Sequence, residues 1–195
     1  MVEPDPSRLC TTFGDMNGES NAPLVVISGA AGTGKTTLAR ACARAWSAVV
    51  IDLDEVAVEE TQVAIASSPD PTSALASIRD LRYGKLRELV REQRRSGAAP
   101  VIAVAPFTRE VSCAEDWTTF VHGVGGGEVM LVWIHLDPVE RSTRIQGRGA
   151  LRDRKREDLG ATFVSPPVPH IDIDGALDRE QQVNLIWSRF DNGKP

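Results

Sequence analysis

A glycine-rich loop between an apolar strand and a helix constrains this chain more than any other feature. Residues 24–28 form a short continuous apolar run, which predicts a strand buried on both faces, and the Ala-rich residues 36–46 predict a helix. Residues 29–36 match the spacing Gly-x4-Gly-Lys-Thr. The glycines let successive backbone N–H groups turn toward phosphate oxygens, and the helix presents its positive end to the same anion. Because the motif lies between a strand and a helix, as it must, the sequence predicts a phosphate loop that binds a nucleotide.

The residues of this loop have expected roles toward the nucleotide. Lys35 is expected to reach the β- and γ-phosphates, and the Thr36 hydroxyl is expected to ligate Mg²⁺. The residues predicted to contact the nucleotide are Gly29, Ala30, Ala31, Gly32, Thr33, Gly34, Lys35, Thr36 and Thr37. GTPases, ATPase motors and small-molecule kinases all share such a loop, so it predicts nucleotide binding and leaves the reaction open.

The rest of the chain alternates apolar runs with helical segments. Further buried strands are predicted over residues 48–52, 100–105, 129–136 and 170–174, and further helices over residues 72–96, 113–122, 138–146 and 177–190. Thr72 or Ser73 is expected to cap the longest helix and Gly97 to end it. Strands that alternate with helices predict an α/β fold with a parallel sheet covered on both faces. Ligands of such folds bind at the carboxyl ends of the strands.

Length and composition bound the domain organisation and the function classes. The 195 residues suffice for one domain with a modest lid, and we predict a flexible arm over 1–21, a single domain over 22–195 and a lid at about 147–168. The net charge of -5 argues against a nucleic-acid binder. No apolar run approaches the ~18 residues of a membrane span. The three cysteines show neither metal-ligand spacing nor a disulfide framework, which favours a reducing, cytoplasmic setting.

Two carboxylates follow the second predicted strand. Asp52 and Asp54 stand at i and i+2, so on an extended segment their side chains point the same way. Phosphoryl transfer to a hydroxyl needs an acidic group that accepts the proton and helps to order Mg²⁺. We expect Asp54 to be the base and Asp52 the metal-side or structural carboxylate, with Asp52 as the alternative base. The competing interpretation is that Asp54 caps a short helix that begins near Glu55.

A cluster of cations follows the fourth predicted strand. Its members are Arg141, Arg144, Arg148, Arg152, Arg154, Lys155 and Arg156. Mobile arginines stabilise the charge that spreads over a transferring phosphoryl group, and a lid that carries them excludes water. A solvated basic surface is the alternative interpretation.

The second ligand site is expected beside the long helix and the end of the third strand. Arg79, Arg82 and Tyr83 stand at i, i+3 and i+4, so they can share one helix face toward an anionic or polyhydroxyl acceptor. A solvated helix face is the competing interpretation. Thr108 and Arg109, just after the third strand, are further candidates for this site. His135 lies within a predicted strand and is expected to be a core histidine.

With these residues established, the sequence resembles the small P-loop kinases related to gluconate kinase, shikimate kinase, adenylate kinase and chloramphenicol phosphotransferase. The segments that carry the resemblance are the phosphate loop, Val50–Asp54, Leu136–Pro138 and the Arg144-x3-Arg148-x3-Arg152-Asp153 pattern. The resemblance implies a five-stranded parallel sheet in the order 2-3-1-4-5 with an arginine-bearing lid.

The resemblance also implies roles for particular residues. Asp54, and less surely Asp52, falls at the position of the catalytic base or substrate ligand. Arg148 and Arg152 fall at the positions of the catalytic lid arginines, and Arg144 lies near the base and phosphates of the nucleotide. Many P-loop proteins have an Asp at the end of the third strand for Mg²⁺, but residues 101–107 contain none. The Mg²⁺ site is then expected to rely on Thr36, Asp52 or Asp54, and the nucleotide.

The function implied is transfer of the γ-phosphate of ATP to a hydroxyl group of a small molecule such as a sugar, a cyclitol, another metabolite or an antibiotic. The cofactors implied are ATP and Mg²⁺, and the absence of a guanine-binding signature favours ATP over GTP. The expected partner is the small-molecule acceptor, with no nucleic acid and no membrane, and the chain is expected to be a monomer or a homodimer. The alternative is an ATPase or nucleotide switch that acts with a protein partner.

Overall fold

The computed structural model describes residues 21–148 and 164–191 of the chain. Its strands are β1 (Leu24–Gly29), β2 (Val49–Asp52), β3 (Val101–Val104), β4 (Val129–His135) and β5 (Ile171–Asp174). Its helices are α1 (Lys35–Trp46), α2 (Leu53–Val56), α3 (Val58–Ala66), α4 (Pro71–Ser77), α5 (Arg79–Ser96), α6 (Ala114–Gly123), α7 (Pro138–Arg148) and α8 (Arg179–Asp191). Arg152, most of the predicted lid and all but one residue of the predicted arm lie outside the described residues.

The five strands form one parallel sheet in the order β2-β3-β1-β4-β5, which confirms the predicted fold class. β1 lies at the centre, where Leu24 is in register with both Val101 of β3 and Val129 of β4. At the other end of β1, Gly29 is in register with Ile134. The carboxyl ends of the strands therefore lie along one edge of the sheet, and the phosphate loop begins at the middle of that edge.

Alternate residues of β1 face two different cores. Val26 packs with Leu86 of α5 and Phe120 of α6 on one face of the sheet. Ile27 packs with Leu38 of α1 and Ile186 of α8 on the other face. Burial on both faces explains why β1, β3 and β4 are continuous apolar runs, whereas the edge strand β5 alternates isoleucine and aspartate.

The predicted helix over residues 72–96 divides into two helices, so that prediction was wrong in part. Asp70, not Thr72 or Ser73, caps the first of them, because its carboxylate accepts from the backbone N–H groups of both residues at 3.1 Å. Ile78, with φ -105° and ψ 11°, interrupts the helix before α5 begins. Gly97 ends α5 in the left-handed conformation with φ 62°, as predicted.

His135 is the last residue of β4 and is exposed, so the expectation of a core histidine was wrong. β4 ends at His135, at the edge of the sheet where the carboxyl ends of the strands lie, and His135 lines a cavity there. Among the described residues, none of the helices combines the length and the hydropathy that crossing a bilayer requires.

Candidate active site

The phosphate loop depends on glycine at positions where a side chain has no room. Gly29 has φ 140°, and a Cβ there would lie 2.3 Å from the backbone oxygen of Ile134. Gly32 has φ 88°, and a Cβ there would lie 2.8 Å from the side chain of Ile145. Both φ values lie in the region that disfavours other residues. The loop is thus pressed against the end of β4 and against α7.

Lys35 directs its ammonium group back over the loop that precedes it. Its Nζ donates to the backbone oxygens of Gly29 at 2.9 Å and Ala30 at 2.7 Å. This conformation holds a positive charge beside the loop amides and the first turn of α1. Both are features that attract phosphate.

The second strand ends in a carboxylate that is tied to the phosphate loop. Asp52 is 4% exposed, and its Oδ2 accepts a hydrogen bond of 2.7 Å from the Thr36 hydroxyl. Burial raises the pKa of Asp52 above its ordinary value, and the hydrogen bond from Thr36 opposes that rise. Hydroxyl and carboxylate oxygens are the ligands that Mg²⁺ prefers, so this pair fits the predicted metal site.

Asp52, rather than Asp54, caps the short helix that follows β2. Its Oδ1 accepts from the backbone N–H of Asp54 at 3.0 Å, at the start of α2. The prediction that the two carboxylates lie on one extended segment was therefore wrong, because the chain turns into a helix at Leu53. The cap buries Asp52 and leaves the Asp54 side chain 46% exposed.

Asp54 projects toward an arginine of α5. The Arg82 Nη2 atom lies 3.3 Å from Asp54 Oδ1, and the Arg82 side chain is only 11% exposed. The pair joins the end of β2 to the wall of a cavity. An ionised carboxylate held there by a neighbouring cation can accept a proton from a ligand in that cavity.

A cavity of about 470 Å³ connects the phosphate loop to these carboxylates. It brings together most of the residues predicted for catalysis, metal binding and substrate binding. Those lining it are Ala31, Gly32, Gly34, Lys35, Thr36, Thr37, Asp52, Asp54, Arg79, Tyr83 and Thr108. Arg82 lines it as well, whereas Ala30 and Thr33 line a separate cavity beside β4.

The far wall of the cavity holds an ion pair stacked on a tyrosine. Arg79 Nη2 donates to both carboxylate oxygens of Glu110, at 3.0 and 2.8 Å, and the guanidinium lies 4.1 Å from the centre of the Tyr83 ring. The Tyr83 hydroxyl accepts a hydrogen bond of 3.1 Å from the backbone N–H of Phe107. Glu110 was not predicted, since nothing in the local sequence distinguishes it from a solvated loop residue. Its charge neutralises Arg79, so this wall presents hydroxyl, aromatic and peptide groups rather than a full positive charge.

The roles of three predicted arginines are not tested by this cavity. Arg109 is exposed, pairs with Asp80 at 3.1 Å and is not among the residues that line the cavity, so its role as a substrate ligand stays a prediction. Arg148 is the last residue of α7, and its side chain lies outside the described part of the chain, as does all of Arg152. The proposed roles of these two arginines stay predictions.

The opposite side of the phosphate loop is built from the segment between β5 and α8. A Cβ on Gly175 would lie 2.9 Å from the backbone oxygens of Thr33 and His135, so this segment packs directly on the loop. Arg144 Nη1 and Nη2 donate to the Gly175 oxygen at 3.2 and 3.3 Å, which ties Arg144 to this segment, and its role toward the nucleotide stays a prediction. Arg179, which sequence reasoning missed, also reaches the loop.

The sheet order and the phosphate loop define a P-loop nucleotide-binding fold, and comparisons with known proteins agree. No curated protein sequence matches this chain. A family model described as an AAA domain matches residues 24–162, so the chain belongs to this family.

Solved structures of several kinases share the fold. A sugar kinase from Janibacter sp. HTCC2649 is 16% identical with a TM-score of 0.60, over 88% of this chain and 96% of that one. A gluconokinase from Sinorhizobium meliloti 1021 is 15% identical with a TM-score of 0.58, over 90% and 94%. The APS kinase of Mycobacterium tuberculosis, solved in complex with AMPPNP and APS, is 16% identical with a TM-score of 0.56, over 88% and 98%. The resemblance to small P-loop kinases is thus confirmed at the level of the fold.

Proposed function

We propose that this protein is an ATP-dependent phosphotransferase that moves the γ-phosphate of ATP to a hydroxyl group of a small molecule. The observation that carries the proposal is the shared cavity, which places the Asp54–Arg82 pair and the phosphate loop around one space of about 470 Å³. A P-loop protein that only hydrolyses or senses a nucleotide does not need a cavity that can hold a second ligand beside a general base. The sugar kinase and gluconokinase that share the fold support a hydroxyl acceptor.

In this proposal the phosphate loop holds the nucleotide, and Lys35 leaves its loop carbonyls to bind the β- and γ-phosphates. The Thr36 hydroxyl and the Asp52 carboxylate would hold Mg²⁺, which neutralises charge on the phosphates. The buried position of Asp52 beside Thr36 supports this assignment. Within the described residues no cluster of three His, Cys, Asp or Glu side chains forms a separate metal site.

Asp54 is the proposed general base. It accepts the proton of the acceptor hydroxyl as the hydroxyl oxygen bonds to the γ-phosphorus and the bond to the ADP oxygen breaks. Arg82 keeps the carboxylate directed into the cavity through its contact of 3.3 Å. Tyr83, Thr108 and the Arg79 guanidinium are proposed to line the acceptor, and Arg148 and Arg152 to stabilise the transferring phosphoryl group.

ATP consumption with Mg²⁺ across a panel of sugars, sugar acids, cyclitols and hydroxylated antibiotics tests this proposal. We expect one acceptor class to raise turnover at least about tenfold over the rate without acceptor. Asp54→Asn should reduce the acceptor-dependent rate by roughly 100-fold or more, the range for loss of a general base, and leave ATP affinity unchanged. Glu59→Gln is the matched control, because Glu59 is an exposed carboxylate of the adjacent α3 that is not among the residues lining the cavity.

The outcomes separate the alternatives. Full acceptor-dependent activity in Asp54→Asn would transfer the role of base to Asp52. ATP turnover that no acceptor raises, and that a protein partner does raise, would favour the nucleotide switch over the phosphotransferase.

A further inference from the structure

Arg179 places a guanidinium against the phosphate loop. A Cβ built on Gly34 would lie 2.9 Å from Arg179 Nη2 and 3.5 Å from Nη1, so the guanidinium fills the space in front of the Gly34 backbone. Gly34 is the residue immediately before α1. The first residue of α8 therefore brings a cation to the amino-terminal end of another helix.

That position is electrostatically unfavourable for a cation on its own. The amino-terminal end of a helix carries a partial positive charge from its unpaired N–H groups, and it attracts anions. Lys35, at the same helix end, adds a full positive charge. An anion bound among these groups would offset the repulsion between the two cations and the helix end.

The carboxylate described at this end of α1, that of Asp52, accepts from the Thr36 hydroxyl. Arg144, the neighbouring guanidinium, is paired with Glu140, whereas none of the described salt bridges includes Arg179. Burial and the charge of Arg144 both lower the pKa of Arg179.

The position of Arg179 is held by a buried glutamine. Gln182 is fully buried, its Oε1 accepts from Arg179 Nη1, and its Nε2 donates to the backbone oxygens of Asp174 at 2.9 Å and Leu177 at 3.1 Å. Each polar atom of the amide is thus used. This arrangement fixes the guanidinium in one direction and ties it to the segment that packs on the phosphate loop, unlike a solvated arginine that explores many rotamers.

We propose that Arg179 binds the phosphate chain of the nucleotide and that Gln182 positions it. The inference rests on the nucleotide-binding half of the proposed function and is independent of the acceptor. A phosphate between the loop amides and the Arg179 guanidinium would give Arg179 an anionic partner, since a guanidinium donates to phosphate oxygens with paired N–H groups.

Calorimetric titration of ATP with Mg²⁺, and of adenosine, into the full chain tests the proposal. Arg179→Ala should weaken ATP binding by roughly tenfold or more, as expected for a lost charge-assisted hydrogen bond, and change adenosine binding by less than about twofold. Arg179→Lys should fall between the two, because lysine keeps the charge and loses the planar fork. Arg189→Ala is the matched control, since Arg189 is an exposed arginine at the other end of the same helix.

A double-mutant cycle tests the positioning role of Gln182. Gln182→Met alone should weaken ATP binding severalfold, and should add nothing when Arg179 is already alanine. Equal effects in both backgrounds would mean that Gln182 acts on the fold rather than through Arg179. Thermal unfolding of each variant shows that the protein titrated is folded.

The results distinguish this inference from the proposed function. ATP affinity that is unchanged in Arg179→Ala overturns the inference, and an equal loss for ATP and adenosine overturns the assignment to the phosphates. Tight ATP binding without transfer to any acceptor overturns the phosphotransferase and leaves the Arg179 result valid. A wild-type chain that does not bind ATP overturns both.

Discussion

The Thr36 hydroxyl and the Asp52 carboxylate are joined by a hydrogen bond of 2.7 Å that links the first turn of α1 to the end of β2. Asp52 is 4% exposed, and burial is the main cause of its raised pKa. A carboxylate in this position lowers the stability of the chain when no cation is bound. The ionised Asp52 side chain therefore lowers the free energy of unfolding of the ligand-free protein, and bound Mg²⁺ is expected to raise it again.

Asp52→Asn should stabilise the ligand-free protein above neutral pH. Because the folded state holds the Asp52 proton more tightly than the unfolded state does, ionisation lowers the free energy of unfolding. Below the ordinary pKa of 3.8 both states hold the proton, so this loss of stability is absent. The loss develops as the pH rises from there through the raised folded-state pKa. Thermal unfolding at pH 4 and pH 8 should show the variant melting above the wild type at pH 8, with a smaller difference at pH 4.

Asp54→Asn is the control for this measurement, because the Asp54 side chain is about half exposed. A difference between Asp52→Asn and wild type that is the same at both pH values would contradict the argument. The amide oxygen of asparagine can accept from the Asp54 N–H and its NH2 group can donate to the Thr36 hydroxyl, so both contacts of Asp52 can be kept in the variant.

Arg82→Met should separate stability from catalysis. Arg82 is 9% exposed, methionine keeps the apolar stem of its side chain, and the half-exposed Asp54 carboxylate remains solvated without its partner, so we expect the fold to be retained. Asp54 loses the guanidinium that directs it into the cavity, so we expect acceptor-dependent turnover to fall at least about tenfold. The measurement is kcat with the acceptor found above, beside a thermal melt.

Arg91→Ala serves as the comparison for Arg82, since Arg91 is an exposed arginine of the same helix. Turnover that survives in Arg82→Met would show that Asp54 needs no positioning cation.

The sheet could be predicted from the sequence, while the details of the acceptor wall could not. The three central strands are continuous apolar runs, and the loop between β1 and α1 has a motif whose spacing defines its backbone. The Arg79–Glu110 pair joins residues that are 31 positions apart, and no local pattern indicates it. The placement of Arg179 depends likewise on how α8 packs on α1, which periodicity does not reveal.

The carboxylates illustrate the same limit at short range. Side-chain direction was predicted from an extended backbone, but Asp52 caps α2 and the chain turns into that helix at once. Asp is a favoured cap as well as a favoured metal ligand, so the residue type alone left both structures open. The structure shows Asp52 making the cap and the contact to Thr36 together.

Tyr83→Phe should destabilise the fold next to the cavity. The Tyr83 hydroxyl accepts from the backbone N–H of Phe107, a buried residue with φ 47°, which is an uncommon conformation for a side chain of this size. Loss of the hydroxyl leaves that N–H without its partner and should cost about 1–3 kcal/mol. Denaturant unfolding measures the change, and a variant as stable as the wild type would contradict it.

Replacing Arg94 should lower the free energy of unfolding and leave the affinity for the nucleotide unchanged. Arg94 is fully buried at the amino-terminal edge of the sheet, opposite the phosphate loop, and donates to the backbone oxygens of Ala22 at 2.8 Å, Val124 at 2.8 Å and Glu128 at 3.4 Å. Burial lowers its pKa, and the three backbone oxygens stabilise the guanidinium in place of solvent.

Arg94→Met fills the space and removes the side-chain donor of the Ala22 and Val124 oxygens, whereas the Glu128 oxygen keeps the Leu24 N–H at 3.3 Å, so we expect a loss of roughly 2–4 kcal/mol in the free energy of unfolding. For a chain of this size each kcal/mol corresponds to about 2–4 °C in Tm. The adjacent exposed Arg95 provides the matched variant Arg95→Ala, which should melt with the wild type. ATP affinity, measured below the melting transition, should be the same in the wild type and both variants. A loss of ATP binding in Arg94→Met alone would show that the amino-terminal edge of the sheet influences the phosphate loop.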